Sequence, residues 1–335
     1  MEGVSILMPF RDAAATLAET LQSILAQSHA HFELLAVDDG STDDSVAILR
    51  RLMGKDPRLR LLANPHPGLV RALNAGLREA RYAWTARMDA DDIMHPQRLA
   101  QQLAAVEGEE RVDLVASQVR LFPDELVQDG YREYIRWQNE CLTHEQICNE
   151  VYIESPFAHP TVMLRTATVR KVGGYRDGDF PEDYELWLRM AQAGCRMTKV
   201  PQVLLDWRER PDRTSRTDSR YARDAFDRIR AEYLAADARL TRDRRLVIWG
   251  AGRRTRRRAD HLLKKGFQPA AWVDIDSRKI GRVLHGVPVV SPDWLVCEDK
   301  PFVLSYVANH GARELIGNRL QEMGYHPGDD YLMIG

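Results

Sequence analysis

Residues 32–43, Phe32-Glu33-Leu34-Leu35-Ala36-Val37-Asp38-Asp39-Gly40-Ser41-Thr42-Asp43, read as a largely apolar strand that stops on paired carboxylates and a glycine. Val4 to Met8 is a second strand of this kind, and Leu17, Leu21, Ile24 and Leu25 recur between the two at helical spacing, which makes a βαβ unit. Downstream, Ser41 and Thr42 can cap a helix to about Met53, Leu59 to Ala63 is a strand, and Leu69 to about Ala80 a helix. Trp84 to Met88 is a further strand, and it too ends on acid: Asp89-Ala90-Asp91-Asp92. The alternation predicts an α/β fold with a largely parallel central sheet covered on both faces. Carboxylates at the strand ends of such a sheet gather in the crevice where ligands bind, so the two clusters are expected to share one site.

Pro96 opens a helix to about Val106, and Val112 to Ser117 is a strand. Residues 122–160 read as irregular and aromatic. Thr161 to Leu164 and Val203 to Trp207 are strands, and Glu182 to Ala193 is a helix with acids in its first turn. Arg208 to Arg220 is arginine-dense and reads as a mobile loop, followed by a helix from about Tyr221 to Leu240. A boundary near Arg242 gives two domains, 1–241 and 242–335. The second shows its own strand and helix alternation. In it Gly250-Ala251-Gly252 follows a strand and Asp274 ends the next, the layout of a dinucleotide fingerprint, but Thr255 stands where the third glycine belongs. This domain resembles the Rossmann-like half-domains of sugar-modifying enzymes. An assembly or structural role is favoured for it over nucleotide binding.

The 47 basic and 49 acidic residues nearly cancel, so no overall field recommends a nucleic-acid partner. The four cysteines, Cys141, Cys148, Cys195 and Cys297, form no CxxC pair and suit a reducing compartment. No run approaches the ~20 apolar residues of a membrane span. A cytoplasmic enzyme is expected, with peripheral docking at the inner face of the membrane left open. Cys141, His144 and Cys148 lack a fourth ligand at zinc spacing.

Hard divalent ions such as Mn²⁺ or Mg²⁺ are held by one or two carboxylates and completed by substrate phosphates, and Asp89 with Asp91 offers that arrangement. The competing account is a turn or helix cap. Glu182 and Asp183 could likewise be first-turn acids worth ~0.3–1 kcal/mol each.

Four segments in order change that balance: residues 5–12 (Ser5-Ile6-Leu7-Met8-Pro9-Phe10-Arg11-Asp12), 37–43, 88–92 and Pro181-Glu182-Asp183-Tyr184-Glu185-Leu186-Trp187. Together they resemble the successive motifs of family-2 glycosyltransferases with the GT-A fold, over roughly residues 3–208. The resemblance implies that Pro9 and Arg11 lie against the nucleotide, that Asp39 accepts a hydrogen bond from the base with Asp38 in support, and that Arg71 reaches the nucleotide. It implies that Asp89 contacts ribose or helps place the donor sugar, that Asp91 is the main metal ligand, and that Asp183 is the base of an inverting transfer. Glu182, His159 and Trp187 would stand near the acceptor. Arg208 and Arg213 would close over the diphosphate. The implied reaction moves a sugar from a nucleotide donor, UDP-linked by preference, to a hydroxyl of a glycan or lipid-linked acceptor, in surface-polysaccharide or glycoconjugate synthesis. Two other readings compete: an NAD(P)-linked sugar-nucleotide oxidoreductase working through the C-terminal glycines, and a non-catalytic sugar-nucleotide-binding protein.

Overall fold

A computed structural model describes the chain except residues 1, 109, 110, 212, 242, 297, 298 and 310. The expected boundary residue Arg242 and the cysteine Cys297 therefore lie outside the described residues. Two compact units are present: 1–147 with 156–178 and 182–218, and 148–155 with 179–181 and 219–335. Among the described residues no helix is long and apolar enough to cross a membrane.

The elements of the first half are β1 (Val4–Phe10), α1 (Leu17–Leu25), β2 (Phe32–Asp38), α2 (Ser45–Met53), β3 (Leu59–Ala63), α3 (Leu69–Glu79), β4 (Trp84–Arg87), β5 (Ile93–Met94), α4 (Arg98–Val106) and β6 (Val112–Phe122). Next come α5 (Asp129–Glu140), α6 (His144–Glu150), β7 (Met163–Arg165), α7 (Thr166–Lys171), α8 (Glu182–Gln192), β8 (Arg196–Arg208) and α9 (Thr214–Thr217). The sheet runs β3-β2-β1-β4-β7-β6-β8-β5. It is parallel from β3 to β4, as the alternation predicts, and β7 and β5 then enter antiparallel, so the sheet is mixed. Leu17, Leu21 and Ile24 of α1 are wholly buried in one cluster with Val4, Ile6 and Met8 of β1. That apolar stripe sets the register, and Phe10 pairs Asp38 while Leu7 pairs Arg87. The strand ends that carry Arg11, Asp38 and Asp39, and Asp89 consequently lie along one edge.

Two expectations need correction. The aromatic stretch 122–160 is not irregular: Tyr131, Tyr134 and Trp137 recur every third residue, which is helical spacing, along α5, and the first two rings stack at 5.7 Å. Nor is Arg208–Arg220 a loop throughout. Arg208 is the last residue of β8, α9 lies within the stretch, and Arg213 is packed on the Trp207 ring at 4.0 Å with Nη1 bonded to Tyr131 Oη (3.0 Å) and Glu209 (3.1 Å). Cation–π packing and a buried carboxylate give this segment fixed partners.

The second unit contains α10 (Arg223–Leu234), β9 (Leu246–Trp249), α11 (Arg253–Leu263), β10 (Ala271–Val273), β11 (Val283–Leu284), β12 (Val287–Val290), β13 (Phe302–Ser305), α12 (Ala312–Glu322) and β14 (Tyr331–Met333). Its sheet order is β11-β12-β10-β9-β13-β14, parallel except for the β11–β12 hairpin at one edge. Val247, Val273, Val303 and Leu320 are wholly buried at its centre.

Candidate active site

At the end of β2 the acids do structural work first. Asp38 Oδ1 accepts the Ser41 N–H (2.9 Å), closing a turn in which Gly40 has φ +85°, a backbone state that glycine tolerates without strain. Asp39 Oδ1 accepts from Asn64 Nδ2 (2.6 Å) and from the Gly68 N–H (2.7 Å), tying β2 to the start of α3. Its Oδ2 has no donor among the described residues. Arg71 lies in the first turn of α3 and is exposed, Pro9 is buried within β1, and Arg11 is exposed with Asp12 3.7 Å away. The turn thus leaves one Asp39 oxygen without a donor among the described residues, at the strand-end edge on which Arg11 also stands.

Beyond β4 the chain turns at residues 88–92. Two hydroxyls, one at the cap of α1 and one within it, hold it there: Thr16 Oγ1 donates to the Ala90 carbonyl (3.0 Å) and Thr20 Oγ1 to that of Asp92 (2.9 Å). Arg208 secures the other side, giving its N–H to Asp92 Oδ1 (2.8 Å) and its Nε to the Asp91 carbonyl (2.6 Å). Arg210 Nη1 stands 3.7 Å from Asp91 Oδ2. Burial, and then the charge of Asp89, raise the Asp91 carboxyl above the ordinary carboxylate range. Asp92 is wholly buried and is raised well above it by the same causes, in the same order; its Oδ2 has no donor among the described residues. Burial and mutual repulsion disfavour the charged forms of Asp91 and Asp92, and hard oxygen donors of this kind suit Mn²⁺ or Mg²⁺. Among the described residues no group of three or more His, Cys, Asp or Glu is arranged to hold a metal by itself. An ion at Asp91, with Asp89 beside it, would need its shell completed by phosphate oxygens.

Asp183 and Glu182 open α8. Asp183 is half-buried, with Oδ1 accepting the Tyr184 N–H at 2.7 Å. Burial and then the Glu182 carboxylate push its pKa up to about 8, against the pull of Arg87. Glu182 is buried, 4.0 Å from His159 Nδ1, and His159 Nε2 bonds Tyr175 Oη at 2.9 Å. Burial, then Arg87, hold the His159 pKa well below its ordinary value, so its imidazole is neutral. Trp187 is wholly buried edge-on to Phe157 and His159, and it bears on the site only through that packing.

Arg87 joins the two groups. Its guanidinium is buried and paired with Asp89; burial works against its charge, but Asp89, then Tyr175 and Glu182, more than offset this. The same cation acts on Asp91 and Asp183. The structure therefore brings Asp89, Asp91, Glu182, Asp183 and His159 around one positive charge. Arg98, wholly buried under the strand end, donates Nη2 to the Arg87 carbonyl at 2.9 Å. Sequence reasoning gave no role to Arg87, Asp92, Arg98 or Tyr175. An arginine two residues before a strand-end DxD was the available signal, because buried acids need a counter-ion. Removing one partner of such a buried pair costs about 3–5 kcal/mol. Arg87→Gln is therefore expected to lower stability by about 3 kcal/mol in urea unfolding at neutral pH, and an unshifted midpoint would remove Arg87 from this role.

Comparison with known proteins agrees with the architecture. The amylovoran biosynthesis glycosyltransferase AmsE of Erwinia amylovora is 30% identical over 213 residues, covering 63% of this chain and 77% of that protein. The UDP-Gal:alpha-D-GlcNAc-diphosphoundecaprenol beta-1,3-galactosyltransferase of Escherichia coli is 29% identical over 236 residues, 68% of this chain and 82% of its own. The crystal structure of S. aureus TarS 1-349 with UDP-GlcNAc superposes with a TM-score of 0.55 at 18% identity, covering 72% of this chain and 74% of that one, a likeness of fold. The profile described as Glycosyl transferase family 2 matches residues 5–173, half of the chain, with β1 to β4 and the DxD turn inside the match. The chain belongs to glycosyl transferase family 2 and is a glycosyl-transferring enzyme of the GT-A fold with an added C-terminal α/β unit.

Proposed function

We propose that this enzyme is a metal-dependent, inverting transferase that moves a sugar from a UDP-linked donor to a hydroxyl of a glycan or lipid-linked acceptor, in the cytoplasm, for surface-polysaccharide or glycoconjugate synthesis. The observation that carries the proposal is the buried Arg87 guanidinium, paired with Asp89 and acting on both Asp91 in the 88–92 turn and Asp183. Leaving-group chemistry and proton removal need to flank one sugar carbon, and this arrangement supplies a candidate for each. The named activity of the E. coli relative, a UDP-Gal donor and a diphosphoundecaprenol-linked acceptor, supports the donor and acceptor classes.

In this reading Asp39 and Asp38 seat the base and Pro9, Arg11 and Arg71 flank the nucleotide. Asp89 positions the donor sugar, and Asp91, with Asp89, holds Mn²⁺ or Mg²⁺. When bound, the ion neutralises negative charge on the departing diphosphate. Asp183 takes the proton from the acceptor hydroxyl as its oxygen bonds to the anomeric carbon; the bond to the diphosphate oxygen breaks with its electron pair, and configuration inverts. Neutral His159 and buried Glu182 shape the acceptor side, with Trp187 packed behind them. Arg208 and Arg213 hold the β8 end over the diphosphate and exclude water, which limits donor hydrolysis. In this reading residues 1–241 serve the transfer and residues 242–335 form an added Rossmann-like domain, with the linker helix α10 packing in the second compact unit.

A ligand that binds only the folded state stabilises it by about 2.7 kcal/mol at a hundredfold excess over Kd. UDP-sugars with Mn²⁺ are expected to raise the melting temperature by several degrees, and GDP- and dTDP-sugars by less. Equal shifts across the three bases, or none, would overturn the donor assignment.

A further inference from the structure

The second unit carries a basic and apolar face that its own packing does not use. α11 opens with Arg253-Arg254-Thr255-Arg256-Arg257, and Arg256 Nη1 stands 3.0 Å from His285 Nε2 in the turn of the β11–β12 hairpin, so helix end and edge hairpin are side by side. Asp274 and Asp276 are engaged by Lys279 (2.9 Å) and Arg278 (3.0 Å). Arg253, Arg254, Arg257 and Arg282 are exposed and have no carboxylate partner among the described residues. Large apolar side chains of the adjoining segment, which the Ala251–Asp274 and Arg256–His285 contacts hold against the start of α11, are in solvent: Ile275 is 79% exposed, Val283 66% and Ile280 36%.

A dinucleotide is a poor occupant. The acid that would take the ribose hydroxyls, Asp274, accepts the Ala251 N–H (2.9 Å) and Lys279 Nζ with one oxygen and the Asp276 N–H (2.9 Å) with the other. Thr255 fills the place of the third glycine and packs on Gly250, where an added Cβ would meet it at 2.8 Å. Unpaired arginines alone would suit any polyanion, and outward isoleucine and valine alone would suit a second protein. The two interleaved suit a surface that is anionic outside and apolar just beneath.

We infer that this face docks the enzyme on an anionic lipid bilayer, with Arg253, Arg254, Arg257 and Arg282 among the headgroup phosphates and Ile275, Ile280 and Val283 dipping below them. The inference stands apart from the transfer reaction, and its readout is membrane binding.

The test is co-sedimentation of the full chain with vesicles of phosphatidylcholine alone or with about one-third phosphatidylglycerol, the anionic component that unpaired arginines require. Binding is expected only with the anionic lipid, and raised salt should weaken it. Neutralising Arg253, Arg254 and Arg257 together to Gln should lower the affinity on the order of 100-fold, at about fivefold per cation. Ile275→Ser with Val283→Ser should lower it about tenfold by removing inserted apolar surface. All these side chains are exposed, and an unchanged melting temperature confirms that the variants fold. Equal binding to neutral vesicles, no binding to either, or variants that bind like the parent would each overturn the proposal. So would loss of a dimer, instead of lipid binding, in the Ile275→Ser, Val283→Ser variant.

Discussion

Asp183→Asn is expected to lower transfer by at least about a thousandfold while leaving UDP affinity nearly unchanged, within the range that general-base removal commonly shows. Amide and carboxylate have almost the same shape, and the loss would therefore be of proton-accepting power. Burial and Glu182 push the Asp183 carboxyl up to about 8, and a base works only when ionised. The kcat/KM for donor, which reports the free enzyme, should accordingly climb with pH and level off above about 8. Stability should move the other way. The folded chain binds the Asp183 proton more tightly than the unfolded chain does, so folded stability falls as pH rises from the ordinary carboxylate value of 3.8 to about 8. Asp183→Asn removes that liability, and its melting temperature should exceed the parent's by a margin that widens toward pH 8. A catalytic group gives this pair of results, rate lost and stability gained. A helix-opening acid would give neither, and Asp183→Asn transferring sugar at the parental rate would reject it as the base.

How much of this was legible beforehand follows from what each feature depends on. Strands β1 and β2 were readable because a buried parallel strand is a nearly continuous apolar run, as in Val4–Met8 and Phe32–Val37, and the helices between the strands show their stripe within a dozen residues. α5 was missed because Ile135 and Gln138 are its buried residues and its other apolar groups, Tyr131, Tyr134 and Trp137, are half-buried aromatics in a largely polar segment, so no aliphatic stripe marks the period. The β11–β12 hairpin was missed because strands of two and four residues are too short to show an alternation. At the site, the acids could be found from their positions at strand and helix starts. Their environment could not. The proximity of Arg87 to Glu182 and Asp183 joins residues nearly a hundred positions apart, and the burial that lifts Asp91 and Asp183 is a property of packing, absent from any local pattern. The pinning of Arg213 between Trp207 and Tyr131 is likewise tertiary, which is why an arginine-rich stretch looked like a loop.

Asp91→Ala is expected to abolish the dependence of donor binding on manganese and to lower kcat/KM about a thousandfold, since electrostatic help to a leaving phosphate is worth several kcal/mol. Asp89 is paired with Arg87, and Asp92 has the Arg208 N–H on one oxygen and lies in the field of buried Arg98. Asp91 is answered only by Arg210 at 3.7 Å and, more weakly, by Arg213 and Arg87, and its carboxyl is raised by burial and Asp89. It is the acid of the three with the most to gain from a divalent cation. Binding the ion requires the carboxylate, so lowering the pH into the raised range of Asp91 should release it, and manganese affinity should rise with pH. In the ligand-free protein the substitution should cost little stability, because the aspartate is half-exposed and already disfavoured by its neighbours; a modest rise in melting temperature above neutral pH is the expected sign. Isothermal titration of UDP with and without Mn²⁺ separates the cases. If Asp91→Ala retains the parental gain in UDP affinity from manganese, the ion binds elsewhere and the carboxylates of the 88–92 turn serve the fold alone.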